Sequence, residues 1–169
     1  MEINPDWSFL FPAALLLLLL VLFVSQIWRK TGYPYHSKNT LLSAGELVFY
    51  HALHKAISPQ QMIAPKVRLG DVIGCSEMDW SRGHGPRISA KHLDFVLIDR
   101  LTSRILLAIE LDDRSHERPD RKARDVFLNL ALEAAQVPLL RIPAARSYNP
   151  DQIRTAIEAA PRYESKFKH

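Results

Sequence analysis

The chain has a single cysteine, Cys75, which rules out an intrachain disulfide and any all-cysteine zinc site; a lone thiol is compatible with a reducing compartment. His51, His54 and His84 stand at no spacing to it that suggests zinc. Only 6 glycines occur among 169 residues, and there are no internal repeats, so a composition that is 47% hydrophobic fits one ordinary globular domain with an appendage. Basic residues are missing from the extreme N-terminus, where Glu2 and Asp6 stand instead, and no small-residue cleavage site comes after them. Both absences argue against a cleaved signal peptide.

A long apolar run begins just past those acidic residues. Phe9 to Val24 has no charged or polar side chain and includes six consecutive leucines, Leu15 to Leu20. Counted from Trp7 to Trp28 as a helix, the segment reaches about 33 Å against a hydrocarbon core of about 30 Å, so the sequence predicts a bilayer span over 7–28. Trp7 and Trp28 stand where interfacial aromatics belong. Arg29 and Lys30 then predict an N-terminus outside, a C-terminal domain in the cytoplasm, and a single-pass protein of the inner membrane.

Residues 1–6 read as a short tail, and 29–39, broken by Gly32 and Pro34, as a linker to an α/β domain over 40–160; 161–169 reads as a flexible tail. Because Glu2 and Asp6 precede the apolar run, the remainder has 22 basic against 16 acidic side chains, a formal charge of +6. That balance suits anionic lipid or a nucleic-acid backbone equally well.

Within the domain, Ser43 and Glu46 have the capping-box spacing, which starts a helix that should stop before Pro59. Met62 to Ile73 reads as a strand interrupted by Pro65 and ending near Gly70 or Gly74, and Ser76 to Ala90 as a loop or insertion. Two apolar strands come next, 92–99 and 105–112, close enough for an antiparallel hairpin. A helix over 117–136, a buried strand over 137–142 and a last helix over 151–160 complete the order α-β-(loop)-β-β-α-β-α.

The two central strands contain carboxylates in a costly place. Alternation puts Glu110 and Asp112 on one face of their strand, and Asp94 can meet Glu110 from the neighbouring strand if the register allows. Converging carboxylates suit a hard cation, Mg²⁺ or Mn²⁺, which could polarise a phosphodiester and activate water. His116, just past the strand, could shuttle a proton or bind the phosphate. The competing reading pairs Asp94 and Glu110 with Arg104, Arg141 or Lys91 in ordinary ion pairs. Glu46 could complete the site, although its capping-box position already explains it. Asp99 and Asp113 read as solvated, and Arg121, Lys122 and Arg124 are candidates for holding a nucleic-acid backbone.

The succession of a helix bearing Glu46, then Val67-Arg68-Leu69-Gly70-Asp71-Val72, then His92 to Asp99, then Ala108 to His116, resembles a bacterial domain of unknown function in the restriction-endonuclease-like, or PD-(D/E)xK, superfamily, related to very-short-patch-repair-type endonucleases. The resemblance covers about residues 40 to 145. It implies a mixed sheet flanked by helices with an α-β-β-β-α-β core, Asp94 and Glu110 as metal ligands, and Asp112 and His116 in place of the usual lysine as third ligand and proton-transfer group. Asp113 stands where relatives often have glycine. The function implied is a membrane-tethered, metal-dependent nuclease acting on DNA or RNA. The alternative is a catalytically inactive interaction module of the same fold that binds nucleic acid or a protein partner at the membrane.

Overall fold

The computed structural model describes residues 10–29, 33–112 and 119–161, with side chains over 10–26, 33–112 and 123–161. It divides into two compact units, 1–39 and 40–169.

Among its described residues the first unit contains one helix, α1 (Leu10–Arg29). Its uninterrupted apolar stretch, Leu10 to Val24, advances only about 22 Å along the axis, short of the roughly 30 Å of a hydrocarbon core. Polar Ser25 and Gln26 end the stretch, and the Ser25 hydroxyl donates to the Leu22 carbonyl at 2.8 Å. Among the described residues, no helix is long and apolar enough to cross a membrane. This corrects the expectation of a span over 7–28, and with it the expected bilayer partner and the single-pass inner-membrane topology.

The second unit is built on a four-stranded mixed sheet in the order β1-β2-β3-β4. Helix α2 (Ala44–Ala56) opens it, and its capping box is complete: Glu46 N–H donates to the Ser43 hydroxyl while the Ser43 N–H donates to the Glu46 carboxylate. Strand β1 (Gln61–Arg68) leads into three short helices, α3 (Leu69–Val72), α4 (Glu77–Ser81) and α5 (His84–Ser89). The strand stops at Arg68, close to the expected end near Gly70, whereas the segment over 76–90, expected as a loop, is largely helical. In α4 the Ser76 hydroxyl accepts from the Asp79 N–H at the N-cap. Gly85 in α5 lies under the Trp80 ring so closely that a Cβ there would sit 2.0 Å from it.

The chain then forms the antiparallel hairpin of β2 (His92–Asp99) and β3 (Ile105–Asp112). Helix α6 (Pro119–Ala134) returns it to β4 (Leu139–Pro143), parallel to β3, and α7 (Pro150–Ala159) closes the unit. A parallel neighbour requires such a crossover.

Alternation along β2 and β3 divides the core between the two sheet faces. On one side Phe95, Leu97, Leu107 and Ile109 pack against Phe49 and Leu53 of α2 and Ile153 of α7. On the other, Val96 and Ala108 pack against Leu128 and Leu132 of α6 with Leu69 and Ile88. Arg154 of α7 ties the first layer together by donating to the carbonyls of Lys55 and Ala56, satisfying orphan acceptors at the end of α2. The result is a mixed sheet covered by helices on both faces, with no membrane-spanning helix before it among the described residues.

Candidate functional site

The register lines up four charged residues across the sheet at one level. The β1–β2 ladder pairs Pro65 with Phe95 and Val67 with Leu93, so Lys66 stands opposite Asp94. One step beyond Phe95–Ile109, Asp94 faces Glu110, and Glu110 pairs with Arg141 of β4. The row therefore reads cation, carboxylate, carboxyl, cation, from one edge of the sheet to the other. It lies at the end where β3 and β4 terminate, the end at which open α/β sheets place ligands.

Each member has an identifiable anchor. Lys66 adopts φ 55, left-handed backbone that a β-strand lysine rarely visits, at a cost of about 1 kcal/mol or more. That turn delivers its ammonium to two carboxylates: it donates to Glu46 of α2, and to Asp94 Oδ1 at 3.1 Å. Asp94 and β3 then exchange bonds. The Asp94 N–H donates to Glu110 Oε1 at 3.1 Å, and Asp94 Oδ2 accepts from the Leu111 N–H at 3.0 Å. At the far edge Arg141 donates to Asp112 Oδ1 at 2.5 Å and to Asn129 Oδ1 at 3.0 Å, with Asp125 at 3.6 Å.

These surroundings move the ionisations in different directions. Glu110 is 7% exposed, the one buried charged residue among those described, and burial drives its carboxyl up to about 7. The neighbouring Asp94 charge pushes the same way; the Asp94 N–H and the fields of Arg124 and Arg141 only partly oppose it. Burial also acts against ionised Glu46, but the bonds from Lys66 and Ser43 outweigh it and hold Glu46 below its ordinary value. Lys66 is raised on balance, since its bonds to Glu46 and Asp94 exceed the penalty of burial.

The residues expected to form a metal centre are thus distributed among different partners. Asp94 and Glu110 adjoin each other. Asp112 lies at the same end of the sheet but is engaged by Arg141. Arg124 is exposed on α6 and acts on Glu110 through its field. His116 lies outside the described residues, as do Asp113 and the side chains of Arg121 and Lys122. Of the ion-pair partners expected for Asp94 and Glu110, Arg141 pairs instead with Asp112 and Asp125 and acts on Glu110 only through its field, Arg104 is in the hairpin turn and Lys91 lies over the Phe127 ring. Asp99, expected to be solvated, organises that turn by accepting from the Leu101 and Thr102 N–H groups and the Thr102 hydroxyl.

The residue that sequence reasoning missed is Lys66. Its signal was Pro65 inside an apolar run, which marks an irregularity in a strand, but nothing local showed where the next side chain would point.

The carboxylates expected to hold Mg²⁺ or Mn²⁺ are engaged by other groups in this structure. Lys66 places an ammonium against two of the carboxylates, Arg141 engages a third, and Glu110 is buried against the backbone of β2. Among the described residues, no group of three or more His, Cys, Asp or Glu is placed to hold a metal ion. This corrects the expected metal-dependent nuclease centre.

Comparison with known proteins gives no match among curated proteins and none among solved structures. A family match does exist, and it corrects the resemblance to the restriction-endonuclease-like superfamily, whose lysine position is here Asp112. Residues 38–160, well over half of the chain, match the family described as "Protein of unknown function (DUF2726)", and the chain belongs to that family.

Proposed function

We propose that residues 40–160 act as a non-catalytic interaction module. The supporting observation is the internal neutralisation of the charged row. In a metal-dependent nuclease the electrophile and the activated water come from a cation held by free carboxylate oxygens. Here the ammonium of Lys66 lies against Glu46 and Asp94, and the guanidinium of Arg141 holds Asp112. Those contacts stabilise the end of the sheet and connect α2, β1, β2, β3 and β4 into one platform. The role of the carboxylates is then architectural: they fix the strand ends and the adjoining helices as a rigid support for a binding surface.

The test uses the full chain. Incubated with plasmid, and with labelled DNA and RNA oligonucleotides in Mg²⁺ or Mn²⁺, it should produce no cleavage above that of the Glu110→Gln variant. Titration with Mn²⁺ should give no saturable heat. Cleavage by the wild type that disappears in a folded Glu110→Gln protein would overturn the proposal.

A further inference from the structure

Beside the charged row lies a second arrangement that the row does not use. Arg87 of α5 and Lys91, just before β2, come from one segment, and Phe127 and Arg124 come from another, α6. The Arg87 guanidinium carbon stands 3.9 Å from the centre of the Phe127 ring and the Lys91 ammonium 4.9 Å from it. Arg124 precedes Phe127 by three residues, hence shares its helix face, and its charge is felt at Glu110. Two cations are thereby held against one aromatic ring and a third stands one helical turn from it, at the same end of the sheet as the platform.

Grouping like charges is unfavourable by itself, and the ring offsets only part of that, at about 0.5–1 kcal/mol per exposed cation. Four arginines elsewhere stand in ion pairs: Arg68 with Asp71, Arg82 with Asp79, Arg141 with Asp112, and Arg154 with Asp151. Among the described residues, no carboxylate lies within ion-pair distance of Arg87, Lys91 or Arg124. Arg87 and Arg124 are exposed, while Lys91 and Phe127 are half-buried, so the charges are displayed on a fixed base rather than enclosed in a pocket. In sequence the basic run continues through Arg121 and Lys122.

We propose that Arg87, Lys91 and Arg124, organised by Phe127, form a docking surface for the phosphodiester backbone of a nucleic acid. The inference rests on the interaction-module reading and supplies its partner. An open set of cations fits a repeating anion better than a single enclosed one. Guanidinium groups match phosphate oxygens in paired hydrogen bonds, and ring contact orients Arg87 before binding. The charge set carries no base readout, so binding should be indifferent to sequence.

Fluorescence anisotropy of the full chain with short labelled duplex DNA, duplex RNA and single-stranded DNA tests this. For duplex DNA the logarithm of affinity should fall with the logarithm of salt between about 50 and 200 mM, with a slope near −2.7 for three phosphate contacts. Arg87→Ala, Lys91→Ala and Arg124→Ala should each weaken binding several-fold and reduce the slope by about one. Phe127→Leu should weaken binding while keeping the slope, because the cations remain but lose their support. Arg100→Ala combined with Arg104→Ala, at the hairpin turn, is the control and should change nothing. Absence of binding, equal loss in that control, or displacement by poly-glutamate as effective as by unlabelled DNA would each overturn the surface. Binding accompanied by metal-dependent cleavage would overturn the non-catalytic reading and leave the surface standing, which separates the two failures.

Discussion

The two ends of the β2–β3 hairpin solve the same problem in opposite ways. At the turn, Asp99 is solvent-accessible and accepts from the Thr102 hydroxyl and from the Thr102 and Leu101 N–H groups, so its carboxyl is held below its ordinary value. At the other end, Glu110 is enclosed, receives one N–H bond from Asp94, and faces that residue's charge; its carboxyl rises to about 7. Strand residues of like chemistry in one hairpin thus ionise in opposite senses. The difference lies in the number of donors aimed at each oxygen and the water left around it. Where local donors suffice, a carboxylate shapes a turn; where they do not, the fold must bring charge from a distance, as Lys66 and Arg141 show.

The largest expected effect comes from pH. Folded protein holds a proton on Glu110 that the unfolded chain, with its ordinary value of 4.5, releases earlier. Its contribution is therefore fully present below about pH 4.5 and is lost as pH rises through about 7, worth about 3 kcal/mol across that window. Glu110→Gln should remove this slope and raise stability at pH 8, read by urea unfolding at several pH values. An unchanged slope would break the comparison at its buried end.

Next is Lys66→Met, which leaves Glu46 and Asp94 without their shared cation while Asp94 still faces Glu110. Removal of one partner from a half-buried ion pair should cost about 2 kcal/mol at pH 7. The loss should shrink on acidification, as Glu46, held below its ordinary value by the lysine, takes up a proton. A loss equal at pH 4 and pH 8 would mean that the lysine acts through packing alone.

A smaller effect is expected at the start of α2. Ser43→Ala removes the hydroxyl that accepts from the Glu46 N–H and should cost about 1 kcal/mol. The Ser43 N–H bond to the Glu46 carboxylate survives this change, so Lys66 keeps its partner. The smallest effect belongs to the turn. Asp99→Asn should lower the melting temperature less than Ser43→Ala at neutral pH. The difference from wild type should vanish in acid, because stability from a carboxyl of lowered pKa is present above its unfolded value and lost as pH falls through its folded one.

Much of the fold is legible one residue at a time. The Ser43–Glu46 spacing announces α2, and alternating aliphatic residues announce β2 and β3, because those signals depend on neighbours a few positions apart. The short helices after β1 are less visible: Gly83, Gly85 and Pro86 suggest a loop, although Ser76 three residues before Asp79 is an N-cap spacing that could have revealed α4. The span over 7–28 fails because its length counts flanking residues together with the apolar stretch, which stops at Val24. The site is hardest of all, since the contact of Lys66 with Glu46 joins residues 20 positions apart and depends on a left-handed turn at residue 66. No periodicity reports that turn.

The same turn has a bearing on how copies of this protein behave in a crowded solution. Strand β1 is an outer strand of the sheet, and an outer strand with an unbroken row of free amides and carbonyls invites another chain to pair with it. At Pro65 that row lacks an N–H, and at Lys66 the backbone leaves the extended conformation while carrying a positive charge. An incoming strand would find only short stretches on either side to pair with. The residue that neutralises the interior of the sheet's end thus also makes its border a poor template for polymerisation.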